Sequence, residues 1–310
     1  MNSIAVIGMG AMGSAVAKAL LSSGVEIVTN LEGRSPGTRE RAAAAGIRDV
    51  DLMALVDADI ILSIVPPSEA LAVAKLVATA MRASKSPAIF VDCNAVSPQT
   101  MSKVARAFDD TEATVLDGCI IGEPPEAGKT GPRFYVSGGA KDVVEVFIEF
   151  GLDARALDRG IGAASALKMC YAGINKGLIG LGTAMLLAAA KNGADKALIA
   201  ELAESQTQLL AKFSKGIPGM YPKAYRWVAE MDEIAAFLGE DNPAGDIFEG
   251  MAGVFQNLDA DRSGNKDMTA TLSKMLADRP EGSINRYDAL SNGNFDEGGQ
   301  GLEAVPVAQR

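Results

Sequence analysis

The segment SALKMCYAGIN, residues 165–175, places a lysine in a long and nearly uncharged stretch of the chain. Positions three and seven residues apart share one face of a helix, so Lys168 lines up with Ser165, Tyr171 and Asn175. Such a polar stripe suits proton transfer to or from a substrate oxygen, with Lys168 as the acid or base and Tyr171 and Asn175 positioning the oxygen. The alternative is a structural lysine whose stem packs in the helix while its ammonium reaches water.

The composition narrows the choice of proton carrier, because the chain contains no histidine. Proton transfer near neutral pH then falls to Lys, Tyr, Asp, Glu or Cys. Three dispersed cysteines, Cys93, Cys119 and Cys170, fit neither a disulfide framework nor a zinc site, so we expect no metal. We interpret Cys170 as helix packing. A reducing compartment and an N-terminus without a signal-peptide pattern lead us to expect a cytoplasmic protein.

The charge of the chain argues against two classes of partner. Its net charge is −10 at pH 7, with no basic run, so the long-range field repels nucleic acid and anionic membranes. Its longest uncharged run in the lysine region is the 14 residues 177–190, which is shorter than the roughly 18 that suggest a membrane span. We therefore expect a small-molecule substrate.

A glycine-rich turn follows a short apolar run at residues 4–7 that predicts a first strand. The turn has the spacing Gly-x-Gly-x-x-Gly, and a helical pattern follows it. In such a turn the backbone approaches a pyrophosphate that rests on the helix N-terminus. We predict that this turn binds a dinucleotide through Gly8, Met9, Gly10, Ala11, Met12 and Gly13; a tight turn that binds nothing is the alternative.

The segment after the second predicted strand decides between NAD and NADP. An acidic residue there would bind the ribose 2′-OH, whereas an arginine accommodates the 2′-phosphate. Arg34, Ser35 and Arg39 favour NADP, and Glu32 is the competing signal for NAD. The arginines could also be ordinary solvated surface charges. We predict NADP, with NAD as the less favoured cofactor.

Apolar runs and turn residues divide the chain into two parts. Strands are predicted over 4–7, 26–29, 59–65, 88–92, 114–117 and 133–137, with helices over 14–21, 38–45, 68–81 and 141–150. This alternation is typical of a parallel, doubly wound sheet. A long helix over about 162–191 and further helices with breaks near 216–219 and 240–243 follow. We predict an α/β Rossmann domain over 1–158, an all-α domain over 159–285 that opens with the long interdomain helix, and a loose tail over 286–310.

Taken together, these motifs resemble the family of 3-hydroxyacid and 6-phosphogluconate dehydrogenases over roughly the first 180 residues. The features that match are the Gly-Met-Gly-Ala-Met-Gly turn and four segments: the proline-containing loop 63–67, the segment 92–98, the Asp-initiated segment 117–122, and the glycine turn 160–162 before Lys168. The segments ALKMCYAGINKG, GPRFYVSG and RWVAEMDEIA are similar to a branch of that superfamily with a helical C-terminal domain.

The resemblance implies a homodimer whose active site lies in the cleft between a Rossmann domain and an all-α domain. Within that cleft it implies catalysis by Lys168 with Tyr171, and nicotinamide-side contacts from Ile64, Val65, Pro66 and Asn94. The substrate contacts that it implies are Asn94, Cys119, Ile121, Gly122, Asn175, Trp227, Glu230 and Met231.

Two departures from the family pattern bear on the substrate. Tyr171 and Ala172 stand three and four residues after Lys168, where Asn or His-Asn is usual, and residues 121–123 read Ile-Gly-Glu where Ser-Gly-Gly is common. We therefore expect a substrate that is bulkier or less acidic than a small hydroxyacid.

The function that these features predict is NADP-dependent hydride transfer between the nicotinamide and a secondary alcohol or ketone. One alternative is an imine reductase, a class that usually has Asp or Tyr in place of the lysine. The other is a non-catalytic NADP-binding sensor or scaffold.

Overall fold

The computed structural model describes residues 3–126, 128–129, 131–239 and 241–277. The predicted tail 286–310 lies outside this part of the chain. One eight-stranded sheet is built from β1 (Ser3–Ile7), β2 (Glu26–Thr29), β3 (Arg48–Asp49), β4 (Ile60–Ser63), β5 (Ile89–Asp92), β6 (Thr114–Ile121), β7 (Arg133–Ser137) and β8 (Asp153–Ala156).

The strand order of this sheet is β3-β2-β1-β4-β5-β6-β7-β8. The order reverses between β1 and β4, and ligands of doubly wound sheets bind at this point, outside the carboxyl ends of the strands. All neighbours are parallel except β6 and β7, which are antiparallel. The sheet is therefore mixed rather than wholly parallel as predicted, because the connection from β6 to β7 is too short to hold a crossover helix.

Six helices accompany the sheet: α1 (Ala11–Ser22), α2 (Pro36–Ala44), α3 (Leu52–Leu55), α4 (Ala70–Ser84), α5 (Pro98–Arg106) and α6 (Lys141–Glu149). They cover both faces, because side chains of a strand alternate between the faces. Ile60 and Leu62 of β4 join the core under α1 and α6, whereas Ile61 joins the core under α4 and α5. The Rossmann architecture predicted from the sequence is confirmed.

A helical region follows: α7 (Ala163–Lys191), α8 (Asp195–Ser205), α9 (Thr207–Met220), α10 (Ala224–Leu238), α11 (Pro243–Ser263) and α12 (Asp267–Ala277). The break predicted near 216–219 is absent, because α9 continues to Met220 with Pro218 close to its end. Gly216 is needed there for packing, since a Cβ at this position would lie 2.4 Å from Cδ1 of Ile179. The break predicted near 240–243 corresponds to the end of α10.

The helix α7 has two unlike sides. Its glycines face neighbouring helices so closely that a Cβ on Gly182 would lie 2.5 Å from the ring of Phe213. On another side four large apolar residues are exposed: Tyr171, Ile174, Leu181 and Met185. Of the helices that the structure describes, α7 is the one long and apolar enough to cross a membrane by length and composition alone, a test that core helices also pass.

The sheet and the helical region meet at the start of α5. Glu233 of α10 accepts a hydrogen bond from the backbone N–H of Ser97 (2.7 Å) and another from the hydroxyl of Thr100. Ser97 is the N-cap of α5. In a capping box a glutamate of the same helix binds the N-cap N–H, and here a residue of another domain takes that place.

Candidate active site

The glycine turn lies between β1 and α1, at the reversal of strand order. A Cβ on Gly8 would lie 2.3 Å from the carbonyl oxygen of Ile64, and one on Gly13 would lie 2.0 Å from that of Gly8. Gly10 has nothing within 4 Å of its Cβ position, and no side chain caps α1. The turn is therefore tight on its protein side and open at Gly10, which fits a pyrophosphate at the helix N-terminus.

The methionines of this turn contribute through their backbone. The Met9 side chain is buried in the core, and Met12 packs against the same core. The carbonyl oxygen of Met9 accepts a hydrogen bond from Nε of Arg41 (2.9 Å). Arg41, which sequence analysis did not select, thus ties α2 to the glycine turn. Ala11 opens α1.

The residues predicted to bind a 2′-phosphate cluster at the start of α2. Ser35 caps this helix by accepting from the Thr38 N–H, and a guanidinium nitrogen of Arg41 donates to the Thr38 hydroxyl (3.1 Å). Arg39 instead donates to the carbonyl oxygen of Arg34 and lies 3.9 Å from an oxygen of Asp49. The cationic and hydroxyl groups near the start of α2 are thus Arg34, Ser35, Arg39 and Arg41, while Glu32 is exposed.

Asn94 holds the loop of residues 64–66 in place. Its amide oxygen accepts from the N–H of Val65 (2.7 Å), and its amide nitrogen donates to Ser63 (3.0 Å) and Asp92 (2.8 Å). Both amide protons are thereby used, and the side chain is buried. The structure thus makes Asn94 a residue that positions the loop of Ile64, Val65 and Pro66, rather than the direct ligand contact that sequence analysis expected.

Asp92 is an unusual carboxyl group at the end of β5. Burial raises its pKa to about 7, against the opposing effect of the hydrogen bonds from Asn94, and the nearby Asp117 raises it further. The group therefore titrates close to neutral pH.

Asp117 fixes the start of the lysine helix. One of its oxygens accepts from the N–H groups of Gly162 (2.8 Å), Ala164 (3.0 Å) and Ser165 (3.1 Å) and from the Ser137 hydroxyl (3.0 Å). The other accepts from the Ser165 hydroxyl (2.7 Å). A carboxylate is favoured there because it meets free N–H groups and the positive end of the helix dipole. Ser165 therefore anchors the helix and does not belong to the reactive stripe.

Lys168 follows one turn later and reaches back to the sheet. Its Nζ donates to the carbonyl oxygen of Ile120 at 2.6 Å. β6 continues past Asp117, which pairs with the last residue of β5, so Ile120 lies beyond the carboxyl edge of the neighbouring strand. The ammonium is held half-buried against β6, and no ion pair involves it among the residues described.

Beyond Lys168, the last two residues of the predicted polar stripe, Tyr171 and Asn175, have different surroundings. Tyr171 turns outwards and is 49% exposed. Asn175 donates to the Tyr171 carbonyl oxygen, and its own side-chain oxygen accepts from Nζ of Lys212 of α9 (2.8 Å). Lys212 is a second cation at this face of α7 that sequence analysis missed, because the two residues are 37 positions apart.

Two residues of α10 that were predicted to contact the substrate, Trp227 and Glu230, contact Lys176 of α7 instead. Glu230 forms an ion pair with Lys176 of α7, and Nζ of Lys176 lies 4.9 Å from the centre of the Trp227 ring. Burial lowers the pKa of Lys176, and the Glu230 carboxylate opposes this effect. Met231 is fully buried in the helical core. Trp227 and Glu230 are thus engaged with Lys176, and Met231 belongs to the helical core rather than to a substrate surface.

The predicted substrate loop 117–122 is part of a strand. β6 extends to Ile121, four residues further than expected, and pairs with β7. The Cys119 side chain is completely buried against Ala164, which corrects the expectation that it faces a substrate. Ile121 is nearly buried and Gly122 is exposed. Cys170, expected to pack in the helix, is exposed as well.

The described residues contain no group of three or more His, Cys, Asp or Glu side chains that could hold a metal ion. The fold and the site together define an NAD(P)-binding protein with a 3-hydroxyacid dehydrogenase-like architecture. Residues 3–150 match the model of the NAD-binding domain of 6-phosphogluconate dehydrogenase, and residues 189–258 match a domain family of unknown function, DUF1932. The N-terminal half of the chain is therefore similar to a 6-phosphogluconate dehydrogenase-type NAD-binding domain, and part of its helical region is similar to that second family.

Three individual proteins illustrate the likeness. The 3-hydroxyisobutyrate dehydrogenase of Pseudomonas aeruginosa is 28% identical over 238 residues, which are 72% of this chain and 77% of that protein. The conserved protein MTH1747 of unknown function is 26% identical, with a TM-score of 0.64 over 87% of this chain and 99% of its own. A variant imine reductase from Myxococcus stipitatus in complex with NAD+ is 22% identical, with a TM-score of 0.53 over 89% and 99% of the two chains.

The raised pKa of Asp92 predicts how stability depends on pH. Because the folded protein holds this proton up to about pH 7 and an unfolded chain releases it near 3.8, stability falls as pH rises between these values and levels off above 7. In Asp92→Asn this contribution disappears. Urea unfolding midpoints between about pH 5 and 8 measure it, with Asp153→Asn, an exposed carboxyl, as the control. Parallel pH curves for native protein and Asp92→Asn would refute the assignment.

Proposed function

We propose that this protein is an NADP-dependent oxidoreductase that transfers hydride between the nicotinamide and a secondary alcohol or ketone. The observation that carries the proposal is the position of Lys168, a half-buried lysine fixed by Asp117 and Ile120 at the edge of the sheet where the nicotinamide-side loop also ends. Ser63, Asp92 and Asp117 occupy one row across β4, β5 and β6, so the two features are neighbours.

When bound, the nicotinamide supplies the hydride acceptor or donor. For the oxidation of an alcohol, the amine of Lys168 takes the proton of the substrate hydroxyl while the carbon loses its hydride, which leaves a ketone and an ammonium. In the reverse direction the ammonium returns this proton to the forming alkoxide. The carbonyl oxygen of Ile120 holds Nζ in place for either direction.

Two other functions share this architecture. Imine reductases have the same fold, as the Myxococcus stipitatus enzyme shows, but the lysine is the group expected for an oxygen-bearing substrate. A non-catalytic NADP sensor would keep the glycine turn and lack turnover. Following nicotinamide absorbance with panels of secondary alcohols, ketones and cyclic imines separates the three.

The catalytic assignment predicts a large effect of Lys168→Met. Methionine keeps an unbranched stem and removes the proton carrier, so turnover should fall by about 10²–10⁴ while folding and cofactor binding persist. Tyr171→Phe should cost less, because Tyr171 is half-exposed and contributes one hydroxyl. Lys191→Met, at the exposed end of the same helix, is the matched control. Native turnover in Lys168→Met would leave the lysine with a purely structural role.

The cofactor assignment predicts tighter binding of NADPH than of NADH. A charge-assisted contact to the 2′-phosphate contributes about 1.5–3 kcal/mol, so Arg34→Ala should weaken NADPH binding by about 10- to 150-fold and leave NADH unchanged. Fluorescence titration of both cofactors measures the difference, and Arg82→Ala on the exposed side of α4 is the control. Equal dissociation constants for the two cofactors in the native protein are incompatible with the assignment.

We also propose a homodimer assembled through α7. Its exposed residues Ile174, Leu181 and Met185 recur at intervals of seven and four, so they form one apolar stripe on a single side of the helix. Light scattering should give twice the chain mass of 32.1 kDa, and Leu181→Lys should shift the protein towards the monomer. A native monomer at micromolar concentration contradicts this assembly, and Leu76→Lys on α4 controls for the loss of an exposed leucine.

A further inference from the structure

Within the described part of the chain, two lysines at one face of α7 have no carboxylate partner. Among the ion pairs of the described residues, Lys176 is neutralised by Glu230, whereas neither Lys168 nor Lys212 takes part in any. Lys212 is partly buried, and its ammonium contacts an amide oxygen. In a chain with a net charge of −10, this face of α7 therefore keeps two positive charges without an ion-pair partner among the described residues.

Helix geometry relates these charges to each other. Lys168 and Asn175 are seven residues apart, which is nearly two full turns, so they share one face with a rise of about 10 Å between them. Asn175 holds the ammonium of Lys212 at 2.8 Å. Further along α7, Gly182 packs against Phe213, the neighbour of Lys212. On this face of α7, Lys168 therefore lies towards the N-terminal end, and α9 packs further along, towards the C-terminal end.

From this arrangement we propose that Lys212 binds the acidic group of the substrate, two turns of α7 away from the reacting carbon at Lys168. This inference rests on the proposed function and names its substrate class: hydroxy- or oxo-acids whose anionic group is remote from the reacting carbon. Asn175 positions the lysine by accepting one of its three N–H bonds, which leaves the others for a carboxylate or phosphate.

The spacing sets the length of that substrate. The Cα atoms of Lys168 and Asn175 are separated by a rise of about 10 Å along α7, and each ammonium should lie about 3 Å from the oxygen that it binds, so we expect the two substrate oxygens to be at least about 5 Å apart. In a 3-hydroxyacid these oxygens are four bonds apart, at most about 5 Å. Two further carbons bring them into the required range, which agrees with the departures from the family pattern at residues 121–123.

A chain-length series tests this assignment with NADPH. We expect 5-oxohexanoate and 7-oxooctanoate to be reduced with a lower KM than 3-oxobutyrate, and the uncharged hexan-2-one to show the highest KM. Lys212→Gln keeps a hydrogen bond to Asn175 but removes the charge. It should raise KM for the long oxo-acids about 10- to 100-fold with little change in kcat, and leave hexan-2-one unaffected.

The control is Lys215→Gln, which removes the same charge from an exposed position on the same helix. An equal rise of KM in both variants would show a general electrostatic effect and overturn the assignment, as would an unchanged KM in Lys212→Gln. A KM that is lowest for 3-oxobutyrate would overturn the proposal that the anionic group binds far from the reacting carbon.

A binding measurement keeps the inference testable if no ketone is turned over and the proposed function fails. Trp227 is the only tryptophan in the chain, and its ring lies beside Lys176, the residue of α7 that follows Asn175. Its fluorescence should respond to suberate and adipate at lower concentrations than to succinate, because a long dianion reaches both ammonium groups. This preference should vanish in Lys212→Gln and persist in Lys215→Gln; no preference in the native protein would overturn the inference.

Discussion

The buried carboxylate of Asp117 is the interaction on which the site depends. It accepts hydrogen bonds from three N–H groups at the start of α7 and from two serine hydroxyls. Burying a charge is costly unless it is fully hydrogen-bonded, and five donors together with the helix dipole meet that condition here. The direction in which α7 leaves the sheet is set at this point, and with it the place where Lys168 meets Ile120.

Asp117 is part of a buried polar row at the edge of the sheet. Ser63, Asp92, Asp117 and Ser137 are registered partners on four adjacent strands, and all four side chains are buried. Each member directs a neighbouring segment. Ser63 and Asp92 orient Asn94, which holds the loop of residues 64–66, while Asp117 and Ser137 hold the lysine helix. The loop of residues 64–66 and the lysine helix are thus positioned by two hydrogen-bonded groups that sit side by side in one row across the sheet.

Much of this architecture could be predicted from local sequence patterns. The glycine turn, the long helix and the lysine on it depend on short-range spacing, which the sequence displays directly. The direction of β7 could not be predicted, because an alternating strand pattern does not encode whether its partner runs parallel or antiparallel. α5 was missed because its Ser-Pro start lies in a segment selected as a cofactor motif.

The same limit applies to the candidate site. Lys176 and Glu230 are 54 positions apart, so their pairing depends on how α7 packs against α10. Trp227 and Glu230 were placed on the correct helix, but only the packing shows that they face Lys176. Cys119 was expected in a loop and is buried because β6 is longer than its apolar run suggested.

The junction between the two domains has a consequence for how the protein unfolds. The start of α7, which opens the helical region, is satisfied by Asp117 of the sheet, and the N-cap of α5, which belongs to the sheet, is satisfied by Glu233 of α10. Each domain therefore supplies hydrogen-bond acceptors that the other needs. If either domain unfolds, backbone N–H groups of the other lose their hydrogen-bond acceptors. We therefore expect the two domains to unfold together as one cooperative unit, although each has its own hydrophobic core.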